Sequence, residues 1–209
     1  MPGPSRPLMR PWTQPNRTVA DTATPSPSAP QMRYAALLRA INVGGHTVKM
    51  KELCSLFEAM KLSNVRSVIA SGNVLFESRA GAVALEARIE AALQKALGYA
   101  VQTFLRTPEE LDAIVAHDPF AATDPVLEGH RVHVLFTRSP ITADERKQVL
   151  ALATEYDDFA VFGREIYWRT RGNSSDSTIT PAMWGRAFKP PTTARNITTV
   201  RKLAEKLRA

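Results

Sequence analysis

Val65-Arg66-Ser67-Val68-Ile69-Ala70-Ser71-Gly72-Asn73-Val74-Leu75-Phe76-Glu77 is the stretch on which the fold turns. Two short apolar runs, Val65 to Ala70 and Val74 to Glu77, flank Ser71-Gly72-Asn73. Glycine reaches left-handed backbone angles without a steric cost, and serine and asparagine hydrogen-bond their own main chain, so the tripeptide suits a turn. The stretch therefore reads as two strands joined by a hairpin. Upstream, Met50, Leu53, Cys54, Phe57 and Met60 recur at helical spacing and mark one face of a helix beginning at about Val48. Before that helix, Tyr34 to Ile41 reads as a buried strand. Downstream, Leu85, Ile89, Leu93 and Leu97 mark a second helix, with Gly98 as its C-cap. Val101 to Leu105 is a fourth strand. The order is β-α-β-β-α-β, the split unit of ferredoxin-like folds.

The rest of the chain reads as a degenerate repeat. Thr107-Pro108-Glu109-Glu110 opens a helix, with Thr107 and Glu110 as a capping box and Pro108 at the first helical position. Val132 to Thr137 is a buried strand, and Thr142-Ala143-Asp144-Glu145 is a second capping box opening a helix through Leu152. Phe159 to Phe162 and Glu165 to Trp168 are strands around the hairpin signal Gly163-Arg164, and Asp157 and Asp158 before them read as turn formers. A polar loop from Arg171 to Thr180 follows, then a short helical segment around Trp184 to Phe188. Val200, Leu203, Ala204 and Leu207 form the face of a last helix. No closing strand is evident in this half. The expected fold is α+β: two ferredoxin-like (α/β plait) units, the second degenerate. Their boundaries are 32–106 and 107–209, the latter with a basic C-terminal helix.

Residues 1–31 are rich in proline, serine and threonine and poor in aliphatics, which cannot bury enough apolar surface to offset chain entropy. They read as a disordered tail, or as a mis-assigned start upstream of Met32. The chain has 209 residues, 44% of them hydrophobic, enough for a real core. Its apolar runs are too short to span a bilayer, so no membrane partner is expected. A single cysteine, Cys54, excludes an internal disulfide and fits the cytoplasm, where it reads as a buried structural thiol. The net charge of +7 favours anionic partners. From Arg186 onward stand Lys189, Arg195, Arg201, Lys202, Lys206 and Arg208 against the single acid Glu205.

In a ferredoxin-like unit the first two strands run parallel with the third between them. The loop after the first strand and the hairpin then lie at one end of the sheet. That places Asn42-Val43-Gly44-Gly45 beside Ser71-Gly72-Asn73. Gly44 and Gly45 can turn successive N–H groups inward as an anion nest, and the following helix N-terminus adds partial positive charge. Arg39, Asn42, Lys49, Ser71 and Asn73 could supply donors, with Arg39 alternatively facing solvent or a carboxylate. Equally, these residues are ordinary tight-loop formers, and a glycine pair without a Lys-Ser/Thr sequel is no nucleotide-binding loop. The four histidines, His46, His117, His130 and His133, show no recognised metal-ligand spacing, so no metal site is expected. Neither a Ser-His-Asp arrangement nor an RNA-recognition signature can be assembled.

The segment Leu37 to Gly45, Met50-x-x-Leu53, the run Ile69-Ala70-Ser71-Gly72-Asn73-Val74-x-Phe76 after Val65, and Thr193-Ala194-Arg195-Asn196 with Thr199-Val200 stand in a specific order. Together they resemble the bacterial family called domain of unknown function 1697, from Met32 to the C-terminus. The resemblance implies two α/β plait units and no known activity. Ala40 stands where the family usually has glycine, and Ala70 where many relatives have a polar residue. The last motif adds Arg195, whose planar fork suits phosphate or carboxylate, and Asn196, which could also cap the final helix. The expectation is that this segment packs back on the first unit and brings Arg195 towards the glycine loop.

Three functions follow. The first is binding of a phosphorylated small molecule or nucleotide by Arg39, Asn42, Gly44, Gly45, Lys49, Ser71, Gly72, Asn73, Arg195 and Asn196. The second is a nucleic-acid accessory role using the basic C-terminal helix and a sheet face. The third is a structural interaction role without catalysis. Whether the protein is an enzyme, which cofactor it uses and its oligomeric state are not legible in the sequence.

Overall fold

The structure is a computed structural model and describes residues 30–42, 47–69, 72–121 and 129–209. The readings of the N-terminal stretch up to residue 29, and of Gly44, Gly45, His46, Ala70 and Ser71, lie outside the described residues. Among the described residues the chain forms six α-helices and two four-stranded antiparallel sheets. The first half runs β1 (Met32–Arg39), α1 (Met50–Ala59), β2 (Ser63–Ser67), β3 (Asn73–Ser78), α2 (Ala82–Leu97) and β4 (Gln102–Arg106). After α3 (Pro108–Ala116) come β5 (Arg131–Phe136), α4 (Ala143–Leu150), β6 (Asp157–Phe162), β7 (Glu165–Thr170), α5 (Pro181–Ala187), β8 (Thr193–Asn196) and α6 (Ile197–Arg208).

The two sheets have the same pattern. Their strand orders are β2-β3-β1-β4 and β6-β7-β5-β8. The closing strand that sequence reading did not find is therefore present. It is β8, four residues long, and it is the Thr193-Ala194-Arg195-Asn196 motif itself. Its brevity and its polar residues hid it, because strand reading relies on apolar runs. Asp157 and Asp158 are also corrected: they begin β6 rather than form a turn. Asp157 is buried and accepts the Trp168 indole N–H at 2.7 Å, while Asp158 holds Arg169 at 2.8 Å. Ionic and hydrogen-bonded partners on β7 let both carboxylates sit in a strand.

Burial explains the continuous apolar runs. Tyr34, Ala36 and Leu38 of β1 face Leu53 and Phe57 of α1 and Leu85, Ile89 and Leu93 of α2. The alternate residues Ala35 and Leu37 face the other way, into a middle layer. Period-two alternation thus puts apolar side chains on both faces, the pattern of a strand covered on both sides. The middle layer joins the halves. Leu111 and Ile114 of α3 and Val200, Leu203, Ala204 and Leu207 of α6 pack there with Val134, Phe136 and Tyr167 of the second sheet. Each leucine, isoleucine, valine or phenylalanine side chain among them contributes on the order of 2 kcal/mol when fully buried. The outer face of the second sheet packs Leu135 and Ile166 with Val149 of α4 and Phe188.

Several local signals behave as the sequence predicts. Both capping boxes form: Glu110 N–H donates to Thr107 Oγ1 at 3.3 Å, and Glu145 N–H does the same to Thr142. Gly98 caps α2 with φ +80° and its N–H donates to the Gln94 carbonyl at 2.9 Å. The α1 helix begins at Met50, two residues later than the predicted start, and β2 ends at Ser67, before Ile69. Cys54 is half-buried beside the buried Leu53.

Ala40, just past β1, holds φ +62°. This explains the glycine implied for the position by the family resemblance. A Cβ in the left-handed region costs about 1–2 kcal/mol, whereas glycine adds back about 0.5–1 kcal/mol of unfolded-chain entropy. Ala40→Gly is therefore expected to stabilise the protein by about 0.5–1 kcal/mol. Urea denaturation would show the midpoint rising, and a falling midpoint would refute the strain.

Candidate functional site

The loop after β1 and the β2–β3 turn meet at one end of the first sheet. Leu38 N–H donates to the Gly72 carbonyl at 2.9 Å. Gly72 has φ +71°, and a Cβ added there would overlap Ile41 Cγ2. Only glycine satisfies both the backbone angle and this close approach. Asn73 opens β3 and is fully buried, its amide donating to the Val68 carbonyl at 3.2 Å. On the other loop, Tyr99 OH donates to the Ile41 carbonyl at 3.0 Å, and Asn42 Oδ1 accepts Val48 N–H at 2.8 Å. Asn42 thereby bonds directly to the residue two before the start of α1. Ile69 holds φ +59° although it is β-branched, a conformation such residues rarely adopt. Ala40, Ile69 and Gly72 thus place three left-handed residues at one edge.

Arg195 reaches this edge from β8. Its Nε donates to Asn73 Oδ1 at 2.6 Å. Nη2 donates to the Leu38 carbonyl at 2.9 Å and to the Gly72 carbonyl at 3.4 Å. Nη1 donates to Thr193 Oγ1 at 2.9 Å and to the Ala194 carbonyl at 2.8 Å. All five guanidinium donors are occupied, and every acceptor is neutral. Among the described residues no carboxylate pairs with it. Burial draws its pKa down to about 10, so the group stays charged at neutral pH.

The remaining candidates are placed differently. Arg39 is exposed, and Nη1 donates to Gln102 Oε1 at 2.9 Å across the β1–β4 pair. Lys49 is exposed at the N-cap of α1, where its carbonyl accepts Leu53 N–H at 3.0 Å, and among the described residues its side chain makes no hydrogen bond or ion pair. Asn196 points away from Arg195, as neighbours on a strand do. It caps α6, accepting Thr198 N–H at 2.9 Å, and lines a separate cleft of about 390 Å³. Sequence reading missed a buried ion pair between the halves: Arg106 Nε donates to Glu165 Oε1 at 2.7 Å. Neither residue belongs to a motif, and long-range pairing leaves no local signal.

Among the described residues the central strands are covered on both faces along Tyr34–Leu38 of β1 and Val134–Phe136 of β5. The carbonyl end of α6 is engaged too. Arg33 Nη1 donates to the Leu207 carbonyl at 3.0 Å, Arg66 donates to that of Lys206, and Arg208 pairs with Asp112 at 3.2 Å. Among the described residues no helix is long and apolar enough to cross a membrane.

A family profile described as protein of unknown function (DUF1697) matches residues 32–167. The chain belongs to this family. The match begins at Met32, as the resemblance implied, and ends before the β8 motif. A solved structure of the conserved bacterial protein SP0830 from Streptococcus pneumoniae shares the fold, with a TM-score of 0.67. It is 24% identical, and the alignment covers 86% of this chain and 100% of that one. Among curated proteins no significant match exists.

Proposed function

We propose that this family member binds a phosphorylated small molecule or nucleotide at the edge where the Asn42–Gly45 loop meets Ser71-Gly72-Asn73. The observation that carries the reading is the Arg195 charge, set at that edge and balanced by neutral acceptors alone. An anion about 6 Å from such a charge gains about 3 kcal/mol at an effective dielectric of 20. That is comparable to one direct charged hydrogen bond, so Arg195 helps without touching the ligand. Direct contacts fall to Lys49, Arg39 and the Gly44 and Gly45 amides, with Asn42, Gly72 and Asn73 shaping the edge. The left-handed Ala40 and Ile69 support the reading, since backbone strain concentrates at ligand clamps. The scaffold is then two ferredoxin-like units, 32–106 and 107–209, on the basis of the two matching strand orders. The single cysteine supports a cytoplasmic setting. No reaction is assigned.

Thermal denaturation in a panel of sugar phosphates and nucleotides tests the binding. At least one compound is expected to raise Tm, since a ligand at about a hundred times its Kd stabilises by about 2.7 kcal/mol. The shift should shrink in Lys49→Ala and Arg39→Ala. A panel without any stabilising compound would count decisively against the reading.

A further inference from the structure

We propose that the main-chain N–H of Asn42 is a direct phosphate donor at the loop edge and that the Tyr99 hydroxyl aims it, an inference that rests on the loop-edge reading. Tyr99 follows Gly98, whose left-handed φ of +80° ends α2 and redirects the chain towards β4. Half-buried, Tyr99 packs against the core cluster that contains Ile41. Its hydroxyl donates to the Ile41 carbonyl at 3.0 Å. Ile41 is held from a second side as well. It is buried, and its Cγ2 lies where a Cβ on Gly72 would stand. Tyr99 and the β2–β3 turn therefore fix one residue between them.

Peptide planarity carries that restraint to the next residue. Among the described residues no peptide bond is cis, and in a planar trans unit the C=O and N–H point in opposite directions. With the Ile41 carbonyl drawn to Tyr99, the Asn42 N–H points away from Tyr99. Asn42 is exposed, and among the described residues its N–H has no hydrogen-bond partner. Its side-chain oxygen is engaged by Val48 N–H at 2.8 Å, so the main-chain donor is the free group. Water satisfies such a donor in the unliganded protein. A phosphate oxygen makes the stronger bond, because an ionised acceptor roughly doubles the strength of a neutral hydrogen bond. The role of Tyr99 is pre-organisation. A peptide free to flip would turn its carbonyl towards the anion for part of the time, and ordering it would then weaken binding.

The test is calorimetric titration of the full chain with inorganic phosphate and adenosine monophosphate at low salt, in wild type, Tyr99→Phe and Tyr34→Phe. Tyr34 is the matched control. Its hydroxyl also donates to a main-chain carbonyl, that of Ala80 at 3.1 Å, near the opposite end of β1. Each variant loses one hydroxyl hydrogen bond, so similar small falls in Tm are expected. Tyr99→Phe should weaken binding of the tighter probe about three- to tenfold. Tyr34→Phe should bind as wild type does. By NMR, the bound probe should move the Asn42 amide proton downfield in wild type, and less far at saturation in Tyr99→Phe. A loss of stability alone does not produce that change. Equal binding by Tyr99→Phe and wild type, or equal weakening in both variants, overturns the proposal and leaves the loop-edge reading standing. An Asn42 amide unmoved by a probe that binds overturns it too. If wild type binds neither probe, the loop-edge reading falls and the Asn42 donor falls with it.

Discussion

Arg106→Ala is expected to lower stability by about 3–5 kcal/mol, because it strands a buried carboxylate. Arg106 is fully buried, and Glu165 is only 6% exposed. Besides its bond to Glu165, Arg106 donates to the Thr137 carbonyl at 2.8 Å and stacks over Phe136 at 5.2 Å. One side chain at the end of β4 thus grips β5 and β7. Burial lowers its pKa, and the Glu165 charge partly offsets that effect. Removing both charges together is another matter. Arg106→Met with Glu165→Leu should recover most of the loss, since apolar replacements of similar volume avoid the desolvation cost. Urea denaturation of the single and double variants separates the cases. A loss below about 1 kcal/mol for Arg106→Ala would show that the pair does not join the halves as described.

The second large effect concerns Arg195. Arg195→Ala should cost about 2–4 kcal/mol, since Asn73 Oδ1 and the Leu38 and Gly72 carbonyls lose a donor in a half-buried setting. Arg195→Lys should restore little of it. An ammonium is a point donor and cannot span acceptors on β1, β3 and the turn between β2 and β3 as a planar fork does. Equilibrium denaturation would check this, and full stability in Arg195→Lys would mean that charge alone matters. The two arginines work at different places. Arg106 joins β4 to the second sheet, and Arg195 joins β8 to the β1–β3 edge.

Much of this fold was legible because it is written in local pattern. The run Tyr34 to Leu38 signalled a buried strand, Thr107 and Thr142 signalled helix starts, and Gly98 signalled a helix end. The first sheet followed from those signals in order. What stayed hidden depends on contacts distant in the chain. β8 is held by its pairing with β5, with Arg195 opposite Val134. No apolar run announces it. Asp157 and Asp158 look like turn formers until Arg169 is seen opposite Asp158, and Trp168 two residues along β7 is seen bonded to Asp157. The candidate edge shows the same division. Sequence order brought Asn42 and Ser71-Gly72-Asn73 to one end of a sheet and suggested that Arg195 packs towards them. It could not show that every Arg195 donor would be taken by the protein itself. That finding moves Arg195 from contacting a ligand to holding the edge together and charging it.

Backbone amide shifts, followed by NMR during titration with inorganic phosphate and adenosine monophosphate, test the binding edge most directly. The account predicts saturable shifts at Asn42 to Lys49 and at Ser71 to Asn73, weakened by added salt as exposed charge contacts are screened. Amides of Asn42 to Lys49 and Ser71 to Asn73 that stay unmoved by both ligands would contradict the account.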